Sequence, residues 1–183
     1  MDLTKLESVL EKEPGFRARI VKEAIFKQLI GDWNEVTSLP TTLRENLSQQ
    51  CPLEIKAGLR TANDKQTTKA LLTLNDGLKI ETVLMRVRGS RNTVCVSTQV
   101  GCSLQCGFCA TGKMGFKRNL SSLEIVEQVL LFARLLKKEA QKITNVVFMG
   151  MGEPFLNYEN VISAVKLLND GQGLNIGARH LSI

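Results

Sequence analysis

Three cysteines, Cys102, Cys106 and Cys109, stand in a C-x3-C-x2-C spacing at the end of a β-branched run, Val94-Cys95-Val96-Ser97-Thr98-Gln99-Val100, with Gly101 as the break. Thiolates are soft ligands, and a strand running through a glycine into a loop dense in them can hang a metal centre on the edge of a sheet. A structural zinc site is closed by four ligands, usually two separated pairs. Here the only histidine, His180, lies far away in sequence. Iron–sulfur cubes take thiolates at their irons, so three cysteines would leave one iron open for a substrate or cofactor. The plainer reading is three core thiols packed as small hydrophobes, which the Gly and polar content of the loop opposes.

A second loop, Gly150-Met151-Gly152-Glu153-Pro154, follows an apolar run, Ile143 to Met149. Glycines let backbone approach a ligand closely, and carbonyls with a carboxylate can accept from an ammonium group. Alone it reads as an ordinary strand-to-helix turn. Cys95 reads from pattern as a small buried strand residue and Glu81 as a solvent-facing carboxylate. Cys51 reads as structural.

These loops need elements to hold them. Residues 1–62 read as a helical unit. Phe16, Ile20, Ala24, Ile25, Phe26 and Leu29 recur at helical spacing, and Pro40 opens a second helix through Leu43 and Leu47 that closes at Cys51-Pro52. Trp33, in the connection, reads as a core plug. Residues 63–92 read as a β-hairpin connector turning at Asn75-Asp76-Gly77. The apolar phase passes from Leu78 and Ile80 to Val83, Met85 and Val87, which predicts a bulge near Glu81-Thr82. Residues 93–183 alternate strand and helix. Ser121-x-x-Glu124 is a capping box, Lys137-Lys138 closes its helix, a further helix runs from Asn157 to Asp170-Gly171, and a third strand opens at Arg179–Ile183. Strand–helix repetition predicts parallel βα units, an α/β fold whose reactive loops sit at the carboxyl ends of the strands.

Composition is that of an ordinary globular chain: 183 residues, 43% hydrophobic, net charge +6. No apolar run is long enough to span a bilayer, and the polar, acidic start is unlike a secretory leader. Five cysteines in such a chain point to reduced thiols and metal in the cytoplasm rather than a secreted disulfide framework. Arg86, Arg88, Arg91, Lys113, Lys117 and Arg118 flank the cysteine loop. They would form a basic rim if they converged, compatible with a polyanionic partner.

The cysteine spacing resembles the signature of the radical S-adenosylmethionine (SAM) superfamily. Cys95-Val96-Ser97-Thr98-Gln99-Val100-Gly101-Cys102, Phe108-Cys109-Ala110-Thr111-Gly112 and Gly115-Phe116-Lys117-Arg118-Asn119-Leu120 are similar to the RlmN/Cfr family of RNA adenine methyltransferases, over essentially the whole chain. The resemblance implies a 4Fe-4S cluster on Cys102, Cys106 and Cys109, and SAM bound with help from Gly152 and Glu153. It implies Glu81 as proton acceptor. It implies that Cys95 attacks a methyl-carrying sulfur to release the product, and hence a disulfide. The implied reaction methylates carbon 2 of an adenosine in 23S ribosomal RNA, and in many members of a tRNA, with a flavodoxin-type electron donor. Pro154 resembles the carbon-2 branch rather than the carbon-8 resistance branch.

The resemblance also implies an N-terminal helical domain that helps hold RNA, and a monomer. The expected fold is a small helical domain, a β-hairpin segment and the first βα units of an incomplete TIM-type barrel. Three parallel strands cannot close a barrel, and the methyl-carrying cysteine is absent, so the chain reads as an N-terminal fragment, inactive alone. Two alternatives stay open: the carbon-8 enzyme, and a non-catalytic iron–sulfur or zinc RNA-binding module. A thiol–disulfide protein built on Cys106-x-x-Cys109 would leave Cys102 idle.

Overall fold

The computed structural model describes residues 5–87 and 91–183. Three helices come first: α1 (Leu6–Leu10), α2 (Gly15–Phe26) and α3 (Thr41–Gln50). Pro40 stands immediately before α3, where its fixed φ suits the entry and its missing N–H costs nothing. Trp33 is the plug of this unit, 1% exposed. Its indole N–H donates to the Cys51 carbonyl at 2.7 Å, so the buried ring leaves no donor unpaired. Phe16 departs from the expected core. It is 54% exposed on the first turn of α2, with the Arg17 guanidinium 5.8 Å over its ring.

The strands follow: β1 (Ala57–Thr61), β2 (Thr67–Thr73), β3 (Lys79–Val87) and β4 (Arg91–Cys95). Residues 57–61 are thus a strand, not the tail of the helical unit. β1 is an edge strand whose residues 58–61 are exposed, so it carries none of the alternation that marks a half-buried strand. The β2–β3 hairpin turns as expected at Asn75-Asp76-Gly77, with Gly77 at φ 82°. The expected bulge is absent: pairing runs unbroken from Thr73↔Lys79 to Thr67↔Met85. Ile80, Thr82 and Leu84 are the buried phase, while Glu81, Val83 and Met85 form the half-buried opposite face. Thr82 hid this continuity, because its hydroxyl is accommodated in the core by donating to the Cys95 carbonyl at 2.7 Å.

Beyond β4 come β5 (Gln99–Val100), α4 (Ala110–Lys113), β6 (Arg118–Asn119), α5 (Ser122–Lys138), β7 (Asn145–Val147), α6 (Tyr158–Asn169) and β8 (Leu181–Ser182). Among the described residues the main sheet has the order β1-β2-β3-β4-β7-β8. β1 to β4 pair antiparallel, whereas β4, β7 and β8 are parallel, as the βα repetition predicts. The capping box at α5 forms in both directions between Ser121 and Glu124. Ile125, Val129, Leu130, Phe132 and Leu136 of α5 share one core with Ile80, Leu84, Val94 and Val146 of the sheet and with the N-terminal helices. Arg134 of α5 donates to the Leu53 carbonyl at 2.8 Å, tying the helical unit to the βα unit. No helix among the described residues is long and apolar enough to cross a membrane.

Candidate active site

The β-branched run does not continue as one strand. β4 ends at Cys95 and the chain leaves the β3 ladder there. It stays against the segment after β7: the Val96 N–H donates to the Val147 carbonyl at 2.9 Å, and the Gly150 N–H to the Val96 carbonyl at 3.0 Å. A Cβ on Gly150 would lie 2.7 Å from that same Val96 oxygen, so the close approach demands glycine. The Thr98 and Gln99 N–H groups both donate to the Met151 carbonyl, at 2.8 and 3.2 Å. Residues 96–99 and 150–153 are therefore laced together at the carboxyl ends of β4 and β7.

The cysteine loop starts where this lacing ends. Val100 pairs with Arg118, so the antiparallel β5–β6 pair forms the neck of a loop spanning residues 101–117. Gly101 takes φ 78°, and Cys102, 8% exposed, is the deepest thiol of the loop. Cys106 is exposed and Cys109 half-buried at the start of α4. The N–H groups of Gly112 and Thr111 point at the Cys109 sulfur and lower its pKa, favouring the thiolate. Among the described residues no three Cys, His, Asp or Glu side chains are gathered into a ready-made metal pocket. The donor chemistry nonetheless fits an iron–sulfur group: three reduced thiols on one loop, one of them primed as thiolate. His180 precedes β8, with its Nδ1 3.3 Å from Asn145 Nδ2 at the start of β7, so it stands at the opposite end of the parallel strands from these thiols.

Of the two residues assigned to SAM by resemblance, Gly152 sits at φ 97°, where a Cβ would come 2.5 Å from Gln99 Cβ. Glu153 donates its N–H to Gln99 Oε1 at 2.9 Å, and its carboxylate accepts from the Phe155 N–H at 3.0 Å, capping the short 3-10 turn Pro154–Asn157. Glu81 and Cys95 come together on one sheet face, since Val83, two residues from Glu81, is the register partner of Cys95. Glu81 forms an ion pair with Lys69 at 2.6 Å, with both side chains about half exposed. Its N–H donates to Met151 Sδ at 3.3 Å and its carbonyl accepts from Ser97 Oγ at 2.5 Å. Cys95 is half-buried, and burial raises its thiol pKa against a weaker opposing bond from the Met149 N–H.

The model of the "Radical SAM superfamily" matches residues 96–183, the stretch holding both loops. A "Probable dual-specificity RNA methyltransferase RlmN" of Dictyoglomus thermophilum is 41% identical over all of this chain and 53% of its own length. Over its whole length the chain is similar to RlmN RNA methyltransferases, and its residues 96–183 match the radical SAM superfamily.

A "Ribosomal RNA large subunit methyltransferase N" of Nitrosopumilus maritimus is 42% identical over 92% of this chain and 50% of its own. A crystal structure of a radical SAM methyltransferase from Sphaerobacter thermophilus superposes with a TM-score of 0.89 at 43% identity, over 99% of this chain and 54% of that one. The chain spans about half the length of the curated relatives it matches. The fold agrees with part of a radical SAM methyltransferase, as expected.

Two expectations are corrected. All five cysteines are reduced, so the implied disulfide at Cys95 is not present: Cys51 is buried in the core and the other three thiols lie on the 101–117 loop. The basic rim does not assemble either. Arg86 sits at the far end of the sheet, paired with Glu139 at 3.0 Å, and Arg91 is beside it at the start of β4. Arg88 lies outside the described residues. Arg118 is consumed by acids, donating through Nε to Asp76 at 2.6 Å and through both terminal nitrogens to Glu124 at 2.9 and 2.8 Å. Among the described residues of that set, Lys113 and Lys117 are the exposed cations beside the loop.

Sequence reasoning passed over the residues that lock the site. Ser97, Thr98 and Gln99 are all buried, and Gln128 of α5 reaches Ser97 with both halves of its amide: Oε1 accepts the Ser97 N–H at 2.8 Å and Nε2 donates to its carbonyl at 2.9 Å. Asn157, also buried, donates to the carbonyls of Thr98 and Leu120, both at 2.8 Å. The available signal was Ser-Thr-Gln inside an apolar strand run, and Gln128 among the apolar residues of α5. Polar side chains in such positions must find partners.

Proposed function

We propose that this chain forms the cluster- and SAM-binding part of a methyltransferase acting on carbon 2 of an adenosine in 23S ribosomal RNA, and in a tRNA. The observation that carries the reading is the lacing of residues 96–99 to residues 150–153. It sets a three-thiol loop beside a Gly-Glu loop at the carboxyl ends of parallel strands.

Cys102, Cys106 and Cys109 would hold the 4Fe-4S cluster, and Gly152 and Glu153 the amino acid portion of SAM. When bound, this pair supplies radical chemistry, which an electron-poor aromatic carbon requires because it offers polar methyl transfer no nucleophile. Glu81, ion-paired with Lys69 on the open face of the sheet, accepts the proton leaving the base. Cys95 offers, on the same face, a thiol that burial keeps protonated at neutral pH. The exposed apolar side chains around the loops, Phe108, Met114, Met149 and Phe155, suit a flat base taken out of its stack. The electron donor would be a flavodoxin-type protein, and the carbon-2 assignment rests on the likeness to RlmN proteins and on Pro154.

Anaerobic reconstitution with iron and sulfide tests the first half: a brown, redox-active cluster perturbed by SAM is expected. Stoichiometric colourless zinc would replace the enzyme reading with an RNA-binding module. Nuclease digestion and mass spectrometry of RNA modified by the whole protein test the second half. 2-Methyladenosine is expected, and 8-methyladenosine would move it to the resistance branch.

A further inference from the structure

Gln99 touches three consecutive residues of the Gly-Glu loop and lies three residues before Cys102. Its backbone N–H donates to the Met151 carbonyl at 3.2 Å. Its Cβ fills the space where a side chain on Gly152 would stand, and its Oε1 takes the Glu153 N–H at 2.9 Å. The other half of the amide donates through Nε2 to Asn119 Oδ1 at 2.8 Å, and Asn119 is the register partner of Gln99 across the neck of the cysteine loop. The side chain is 1% exposed, so these bonds are not traded with water. One buried amide thus accepts from the Gly-Glu loop and donates to the strand that closes the cysteine loop.

The geometry points to Gln99 as a positioning residue that sets the placement of Glu153 relative to the three thiols. It does not contact SAM itself. This rests on the reading of Gly152 and Glu153 as SAM-binding. Both polar ends are required, because an acceptor alone would leave the Glu153 loop free to shift against the neck.

The test uses the whole 183-residue chain in four forms: wild type, Gln99→Glu, Gln99→Met and Asn119→Ala. Gln99→Glu keeps the acceptor for Glu153 and nearly the same volume, so it controls for folding. In the metal-free chain, amide hydrogen exchange at Glu153 is slow in wild type and Gln99→Glu. It rises about tenfold or more in Gln99→Met, the change expected when one buried hydrogen bond is lost. After reconstitution, iron content is expected to be equal in all four forms. The SAM concentration that half-perturbs the electron paramagnetic resonance spectrum of the reduced cluster rises about tenfold in Gln99→Met, and by less in Asn119→Ala and Gln99→Glu.

A wild-type spectrum indifferent to SAM would sink the SAM reading and this inference with it. A wild type that binds SAM, with Gln99→Met equal to it in SAM response and in Glu153 exchange, would overturn the inference alone. Loss of iron from Gln99→Met and Gln99→Glu alike would also overturn it, since Gln99 would then serve the cysteine loop only.

Discussion

The carbonyl oxygen of Gly115 stands 1.7 Å from where a Cβ on Gly101 would be. The two glycines press the ends of the cysteine loop together just outside the β5–β6 neck, and both have positive φ, 78° and 72°. That contact lets a loop of thiols hang from a pair of two-residue strands.

Gly101→Ala adds backbone strain of ~1–2 kcal/mol for a left-handed residue and a clash that only backbone movement relieves. With a total of roughly 3 kcal/mol, the melting temperature should fall by roughly 6–12 °C for a chain of this size. Iron uptake should fall with it. Gly107→Ala, in a position open to solvent with nothing within 4 Å, is the control and should change neither.

Gln128 satisfies both backbone groups of Ser97 from across the sheet–helix boundary, in a fully buried setting. Gln128→Leu keeps the volume and leaves a buried N–H and C=O unpaired, each costing ~1–3 kcal/mol. Urea unfolding should show a loss of about 2–4 kcal/mol. A loss under 0.5 kcal/mol would mean that Ser97 finds other partners.

Cys95 and Cys109 are perturbed in opposite directions, the first raised by burial and the second lowered by the Gly112 and Thr111 N–H groups. Because the thiolate is the nucleophile, iodoacetamide should modify Cys109 of the metal-free chain well before Cys95 at neutral pH. The Cys95 rate should rise only above the ordinary thiol range. Peptide mass spectrometry across pH 6–10 reads both.

Arg118 holds Asp76, at the tip of the β2–β3 hairpin, and Glu124, in the capping box of α5. Its hydrogen bond to Asp76 is the main cause lowering that carboxyl's pKa. A depressed carboxylate stabilises the fold above its unfolded pKa of about 3.9, and the gain is lost as pH falls through the folded value. Asp76→Asn should therefore cost stability at pH 7, and the cost should shrink as pH falls below about 3.9 toward the lowered folded value. Both partners are partly exposed, so the cost should be no more than ~1 kcal/mol, shrinking further in 1 M salt.

Much of the working surface was legible before any coordinates. The C-x3-C-x2-C spacing, the Gly150–Pro154 loop, the Asp-Gly hairpin, the capping box at Ser121 and the βα repetition each depend on residues near one another in the chain, where local geometry decides the outcome. The roles proposed for Glu81 and Cys95 rest on the family resemblance, because a half-exposed carboxylate and a half-buried thiol carry no pattern of their own. The reading faltered where two faces or two segments compete. A threonine in the buried phase of β3 imitated a bulge, and an exposed edge strand passed for helix.

Residue types and short spacings thus determined which groups can bind metal, accept protons or break strands, since those are properties of side chains and of a few adjacent dihedrals. Tertiary structure alone decided that Gln99 and Ser97 join the 96–99 and 150–153 segments, that Gln128 holds Ser97 from α5, that Glu81 and Cys95 share a face, and that Arg118 serves two acids rather than a basic rim. Those pairings bridge residues far apart in the chain, and only the packed sheet and helix bring their partners within hydrogen-bonding reach.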